Sequence, residues 1–193
     1  SGYNVCPFAQ RLNKPNNSKL SSCSAVCVGY NGNAQRYPAV MESRIRKTKM
    51  FFENRSLFLR WLISDIEKAI DFSIEHGKLP SFRINAYSDI KWENVPVTYN
   101  NIKYDNIFDI FPDVIFYDYT KHPERKTPAN YHLTYSFWGN MKDSGKAYAS
   151  GQNIAVVFEE MPKDLKHGGR SIVDGDKTDL RTPENDGKRV IVG

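Results

Sequence analysis

Six short apolar runs, five of them closed by polar residues, limit what this chain can become. They cover residues 82–86, 114–117, 131–135, 154–158, 171–173 and 189–192. Several are continuously apolar and rich in β-branched or aromatic residues, as in Val114-Ile-Phe-Tyr117 and Ile154-Ala-Val-Val-Phe158. That is the pattern of strands covered on both faces. Polar groups follow at once: Ser88 and Asp89, Asp118 and Lys121, Ser136, Glu159, then Asp174 and Asp176. In parallel α/β sheets and barrels, ligand sites lie at the carboxyl ends of the strands. The expected fold class is therefore α/β. It is either a partial or irregular β/α barrel or a mostly parallel sheet, with an irregular cysteine-containing amino-terminal segment.

Two helices are expected ahead of the strands. Residues 41–52 carry Arg44, Arg46, Lys47 and Lys49. Asn54 then suits an N-cap for a second helix that ends before Gly77. Phe58, Leu62, Ile66, Ala69 and Ile74 recur at helical spacing, with Leu57, Trp61 and Ile70 beside them, which predicts one buried stripe. Residues 121–130 and 137–152 contain Pro or Gly and show no helical pattern. Parallel strands normally need a crossover helix, so loops or a mixed sheet are expected there.

A length of 193 residues suits one domain, or one domain with a small appendage. Residues 1–40 read as an irregular, cysteine-containing segment packed on an α/β domain of residues 41–193. No apolar run is long enough to span a bilayer. The chain opens Ser1-Gly-Tyr-Asn without a signal peptide or an initiator Met, which predicts further residues upstream. The net charge of +5 suits contact with a polyanion, although frequent Lys, Asn and Ile also reflect an AT-rich coding bias. Three cysteines, an odd number, point to a reducing compartment.

Cys23 and Cys27 are spaced C-x3-C, with Cys6 upstream. Thiolates bind zinc or iron–sulfur clusters, so these three are candidate metal ligands, and three reduced cysteines without metal are the alternative. Asp118 and Lys121 close one run and are candidates for proton transfer, with a solvated ion pair as the alternative. Arg83, Asn85 and Asp89 alternate along another run and its exit, as candidate substrate contacts and, for Asp89, a catalytic carboxylate. Ser136 stands at the end of the next run. Asp174 and Asp176 suit a hard cation or substrate, but Asp-Gly is also a turn signal, the stronger reading of the two. Arg44, Arg46 and Lys47 are candidate phosphate contacts, against the alternative of a solvated helix face. His132 reads as a hydrogen-bonded core histidine and His122 as a solvated one. No Walker loop, Gly-rich dinucleotide fingerprint or His-Glu-x-x-His motif is present.

Several stretches together resemble an uncharacterised protein family of tailed bacteriophages. They are Ser1-Gly-Tyr-Asn-Val-Cys-Pro-Phe-Ala9, the C-x3-C pair, Arg44-Ile-Arg-Lys-Thr-Lys-Met-Phe-Phe-Glu53 and Arg83-Ile-Asn-Ala-Tyr-Ser-Asp-Ile90. To these add Phe111-Pro-Asp-Val-Ile-Phe-Tyr-Asp-Tyr-Thr-Lys121, Asn130-Tyr-His-Leu-Thr-Tyr-Ser136, Val173-Asp-Gly-Asp176 and Asp179-Leu-Arg181. The resemblance covers nearly the whole chain. Residues 10–22, which look like an insertion, and Phe137-Trp138 depart from that pattern. The resemblance implies a phage protein acting in the cytoplasm of an infected bacterium, or associated with the virion. A looser similarity to radical S-adenosylmethionine enzymes implies an iron–sulfur cluster on Cys6, Cys23 and Cys27 and a cofactor strand at Ser88-Asp89.

The functional expectation is a metal- or iron–sulfur-dependent enzyme acting on a nucleotide or nucleic acid. Its cofactor is a cluster with S-adenosylmethionine, or zinc. The alternatives are a non-catalytic nucleic-acid-binding or virion-associated protein, and an inhibitor of a host factor.

Overall fold

A computed structural model describes residue 3, residues 5–8, residues 37–188 and residues 190–193. The chain divides into two compact units, residues 1–78 with 87–107, and residues 79–86 with 108–193.

The first unit is built on two helices, α1 (Pro38–Glu53) and α2 (Arg55–Glu75). Pro38 opens α1, where its missing N–H costs nothing. Asn54 ends α1 and caps α2, its Oδ1 accepting the Leu57 N–H at 3.2 Å, so the expected cap is present. The buried stripe differs from the expected one. Leu59, Ile63 and Ile66 are buried, whereas Trp61 and Ile74 are 57% and 68% exposed. Many apolar residues on α2 allow more than one helical stripe, and packing selects among them. Phe51 and Phe58 meet Trp92 with ring centroids 5.6 and 6.3 Å away, and Trp92 is buried. A hairpin of β2 (Val97–Tyr99) and β3 (Ile102–Tyr104) belongs to this unit. It turns through Asn100 and Asn101, with φ of 49° and 64°, a left-handed conformation that Asn tolerates best after Gly. This hairpin leaves no mark on the apolar pattern, because its strands are too short for alternation to register.

The second unit holds an open seven-stranded sheet, ordered β1-β4-β5-β6-β9-β8-β7. The strands are β1 (Ser81–Phe82), β4 (Ile115–Thr120), β5 (Tyr131–Ser136), β6 (Asn153–Ala155), β7 (Lys166–His167), β8 (Arg170–Val173) and β9 (Ile191–Val192). Every neighbouring pair is parallel except β7 and β8. Those two form a hairpin through Gly168 and Gly169, both at positive φ. Of the two expected architectures, the mostly parallel sheet is the one present, and the described strands close no barrel.

Loops do join some parallel strands, as expected. Residues 121–130 link β4 to β5 without a helix. Asn130 Nδ2 ties this loop down by donating to the Phe108 and Phe111 carbonyls at 3.2 and 2.9 Å. Residues 137–152 depart from the expectation, because they contain helix α3 (Met141–Ala149). Asn140 caps it, accepting the Asp143 N–H at 3.1 Å. Its interior Gly145 weakens the helical signal, but the buried Ala147 seats it on a core of Tyr135, Ile154, Ile172 and Ile191. A Cβ at Gly145 would meet nothing within 4 Å, and its φ is not positive. Gly145→Ala is therefore expected to stabilise the protein by about 0.5–1 kcal/mol, measured by urea unfolding. A short helix α4 (Pro183–Asp186) precedes β9, capped by Thr182.

Candidate functional site

Strand β4 alternates between half-buried and buried residues, with Phe116, Asp118 and Thr120 buried. Asp118 is thus an acid in the middle of a covered sheet, fully shut off from solvent. Both carboxylate oxygens are used. Oδ1 accepts the Asn85 backbone N–H at 2.9 Å, and Oδ2 accepts the Tyr131 hydroxyl at 2.9 Å. Asn85 Nδ2 donates to the same hydroxyl oxygen at 3.3 Å, closing a three-residue network.

Topology makes this meeting. The parallel pairing of Phe82 with Phe116 brings the chain that leaves β1 past Asp118. Tyr131 pairs with Phe116 across the ladder, which places it on the Asp118 face, one same-face position earlier. Aromatic rings enclose the network. Phe108 stacks on Tyr131 at 4.2 Å and meets Phe116 edge-on at 5.0 Å.

Burial among these rings is the largest influence on Asp118 and pushes its carboxyl up to about 7. The Asn85 N–H, the Tyr131 hydroxyl and the charges of Arg83 and Arg125 pull the other way without offsetting it. A carboxyl that holds or releases a proton near neutrality, with fixed partners on each oxygen, is suited to acid–base chemistry.

Lys121 and Ser136 form a second polar pair. The pairing of Thr120 with Tyr135 sets the next residue of each strand side by side at the carboxyl edge. Lys121 Nζ donates to Ser136 Oγ at 3.1 Å and to the Ser136 carbonyl at 3.2 Å. Arg83 leaves β1 at the same edge, its guanidinium 4.8 Å from the centroid of the Tyr119 ring. Asn85 bonds to Asp118, the Arg83 charge acts on it, and Lys121 donates to Ser136. Asp89, expected to share a face with Arg83 and Asn85, belongs instead to the first unit.

The remaining candidates lie elsewhere. Asp174 and Asp176 form a turn: Asp174 Oδ1 accepts the Asp176 N–H at 3.0 Å. Gly175 between them is required by close packing, since a Cβ there would lie 2.9 Å from both the Gly193 carbonyl oxygen and Val192 Cγ1. In the first unit, Asp89 is buried and its N–H donates to the Val5 carbonyl at 3.0 Å, beside half-buried Cys6. Arg44 places its guanidinium 3.7 Å from the Tyr87 ring centroid, and Arg46 and Lys47 are exposed on α1. Cys23 and Cys27 lie outside the described residues. Among the described residues, no group of three or more His, Cys, Asp or Glu side chains is placed to hold a metal. His132 is half-buried, and burial holds its pKa below the ordinary histidine range.

Tyr131, Arg125, Arg181 and Asp186 are functional candidates that sequence reasoning missed. Tyr131 reads as one more apolar strand residue, and only strand register reveals what its hydroxyl meets. Arg181 and Asp186 form an ion pair at 2.7 Å, with both side chains out of solvent. Arg181 also donates to the Tyr119 hydroxyl at 3.0 Å, to the Gly175 carbonyl at 2.8 Å and to the Thr178 carbonyl. Its only sequence signal is its place in the Asp179-Leu-Arg181 stretch.

The family described as Gene product 88 matches residues 1–193. No curated protein matches the chain, and no solved structure does. Among the described residues, no helix is long and apolar enough to cross a membrane.

Proposed function

This chain belongs to the gene product 88 family, and we propose that it is an enzyme moving a proton through its Asp118–Tyr131 pair on a nucleotide or nucleic-acid substrate. The observation that carries the reading is the buried Asp118 carboxyl, pushed up to about 7 while held by Tyr131 and Asn85. Asp118 stores the proton, and Tyr131 relays it, since its hydroxyl both donates to Asp118 and accepts from Asn85. Lys121, Ser136 and Arg83, at the carboxyl edge where open α/β sheets take their ligands, bind the substrate's anionic groups. The net charge of +5 agrees with such a substrate.

The test is incubation of the protein with a panel of nucleoside phosphates and oligonucleotides, followed by chromatography. Conversion that disappears in Asp118→Asn and weakens in Lys121→Met supports the reading. No conversion anywhere in the panel, or conversion unchanged by Asp118→Asn, refutes it.

A metal or iron–sulfur cluster on Cys6, Cys23 and Cys27 belongs to the same proposal, supported by the C-x3-C spacing. Protein purified without oxygen is expected to carry iron with sulfide, or zinc, and to lose it in the Cys23→Ser/Cys27→Ser variant. Metal-free wild-type protein removes this part.

A second reading, nucleic-acid binding without catalysis, is favoured by the exposed Arg46 and Lys47 and by Arg44 against Tyr87. It predicts salt-dependent binding whose log–log slope drops by about one for each phosphate contact removed. Affinity indifferent to salt and to Arg46→Gln and Lys47→Gln counts against it.

A further inference from the structure

On the amino-terminal side of β5 and β6, the second unit contains a cavity of about 200 Å³. Its wall includes Arg125, His132, Thr134, Gln152, Arg181 and Lys188, and no Asp or Glu is among the described residues lining it. The Arg181 charge is answered by Asp186 behind the wall. Arg125 and Lys188 add two more cations to the wall. Arg125 donates to the Thr120 hydroxyl and acts on Asp118. Lys188, exposed at the rim, feels the Glu184 charge, as His132 does.

Gln152 is the unusual member. Its backbone N–H donates to the Ala147 carbonyl at 3.0 Å. Its side-chain Nε2 and Oε1 are both shut off from solvent and have no hydrogen-bond partner among the described residues. An amide with neither its donor nor its acceptor used is costly, and folded proteins contain few such groups. A single planar group with an acceptor and a donor side by side would satisfy both atoms at once.

We propose that this cavity binds a nucleobase by its hydrogen-bonding edge, with Gln152 reading the edge and Arg125 and Lys188 holding the attached phosphate. A glutamine amide pairs in this bidentate way with an adenine edge. Pockets for whole drug-sized ligands run to roughly 300–1,000 Å³, so the smaller volume suits the base alone, with sugar and phosphate at the Lys188 rim. Both amide atoms are closed to solvent, so binding of the base requires the Gln152 side chain to rotate into the cavity. The same chemistry is offered by a free mononucleotide and by a base flipped out of a strand. Arg125 and Tyr131 border both this cavity and the Asp118 network, so a bound base sits beside that network. Binding is nonetheless independent of whether Asp118 transfers a proton.

The experiment is calorimetric titration of the full chain with each of the four nucleoside 5′-monophosphates, and separately with a single-stranded oligonucleotide. Saturable binding of at least one monophosphate is expected, weakened about ten- to hundredfold in Gln152→Met. Lys188→Gln is expected to weaken it with a shallower salt dependence, and Lys68→Gln, exposed on α2, to leave it intact. Urea unfolding establishes that the variants are folded. Should Gln152→Met not fold, Gln152→Glu keeps the shape, removes the donor and repels phosphate, with the same loss expected. Binding by the oligonucleotide alone, lost in the same variants, identifies a flipped base as the source. No saturable binding of either probe, or binding untouched by both Gln152 variants, overturns the proposal.

Discussion

Asp118→Asn raises the stability of the protein above pH 7 while abolishing the conversion proposed for it. The carboxyl ionises near 4 in the unfolded chain and near 7 in the fold, so between those values the native state binds more protons than the unfolded one. Stability from this group is therefore complete below about pH 4 and lost as pH rises through about 7. The loss amounts to about 4 kcal/mol at most, and an uncharged amide of the same shape avoids it. Urea unfolding across pH 4–8 should show a falling curve for the wild type that Asp118→Asn flattens, with the variant ahead by about 2 kcal/mol or more at pH 8. A trade-off between stability and activity gives a reason for keeping such a residue. Equal destabilisation by Asp118→Asn at both ends of the pH range would mean that Asp118 is an ordinary ionised core acid and would remove the basis of the acid–base reading.

The largest loss of stability is expected from Asp186→Asn. Asp186 is the counter-charge to Arg181, and both side chains are fully buried. Removing one member of a buried pair leaves the other charge without compensation, at about 3–5 kcal/mol. The guanidinium would keep its bonds to Tyr119 and to the Gly175 and Thr178 carbonyls, which are neutral acceptors and do not replace a carboxylate. The double variant Arg181→Met/Asp186→Leu should recover part of the loss, because no charge is then stranded. Recovery stays partial, since the carbonyls that Arg181 satisfied lose their donor. Additive losses across this cycle would show that the two residues do not act as a pair.

Both effects concern charges inside the second unit, and the sequence exposes them unequally. Asp118 stands out because a carboxylate directly follows the apolar run 114–117. Its expected place at the strand end is wrong, because β4 continues to Thr120 and holds Asp118 in its middle. Its expected companion Lys121 is three residues away in sequence but bonds to Ser136, on the neighbouring strand. Tyr131 carries no signal, since a tyrosine in a strand is ordinary until the strand is paired. The turn at Asp174-Gly175-Asp176 is legible because an aspartate side chain reaches the N–H two residues on, whatever the rest of the chain does. On α2 the cap is legible and the buried stripe is not. The cap bond spans three residues, whereas burial of Leu59, Ile63 and Ile66 over Trp61 and Ile74 depends on what packs against the helix.

Features whose causes lie within a few residues are written in the chain alone. These are the Asn54 cap, the Gly punctuation of turns, the aspartate turn and the positions of the apolar runs. Burial of those runs on both faces is not among them, since β4 alternates buried with half-buried residues and Val157, beyond the end of β6, is fully exposed. Folding in three dimensions selects which runs become neighbours. With that choice come the open order β1-β4-β5-β6-β9-β8-β7, the Asp118–Tyr131–Asn85 network and the Arg181–Asp186 pair. The physical reason is range. Backbone preference and side-chain capping act along the chain, but the proton affinity of a buried carboxyl is set by desolvation and by partners 13 and 33 residues away, which meet only when the sheet has formed.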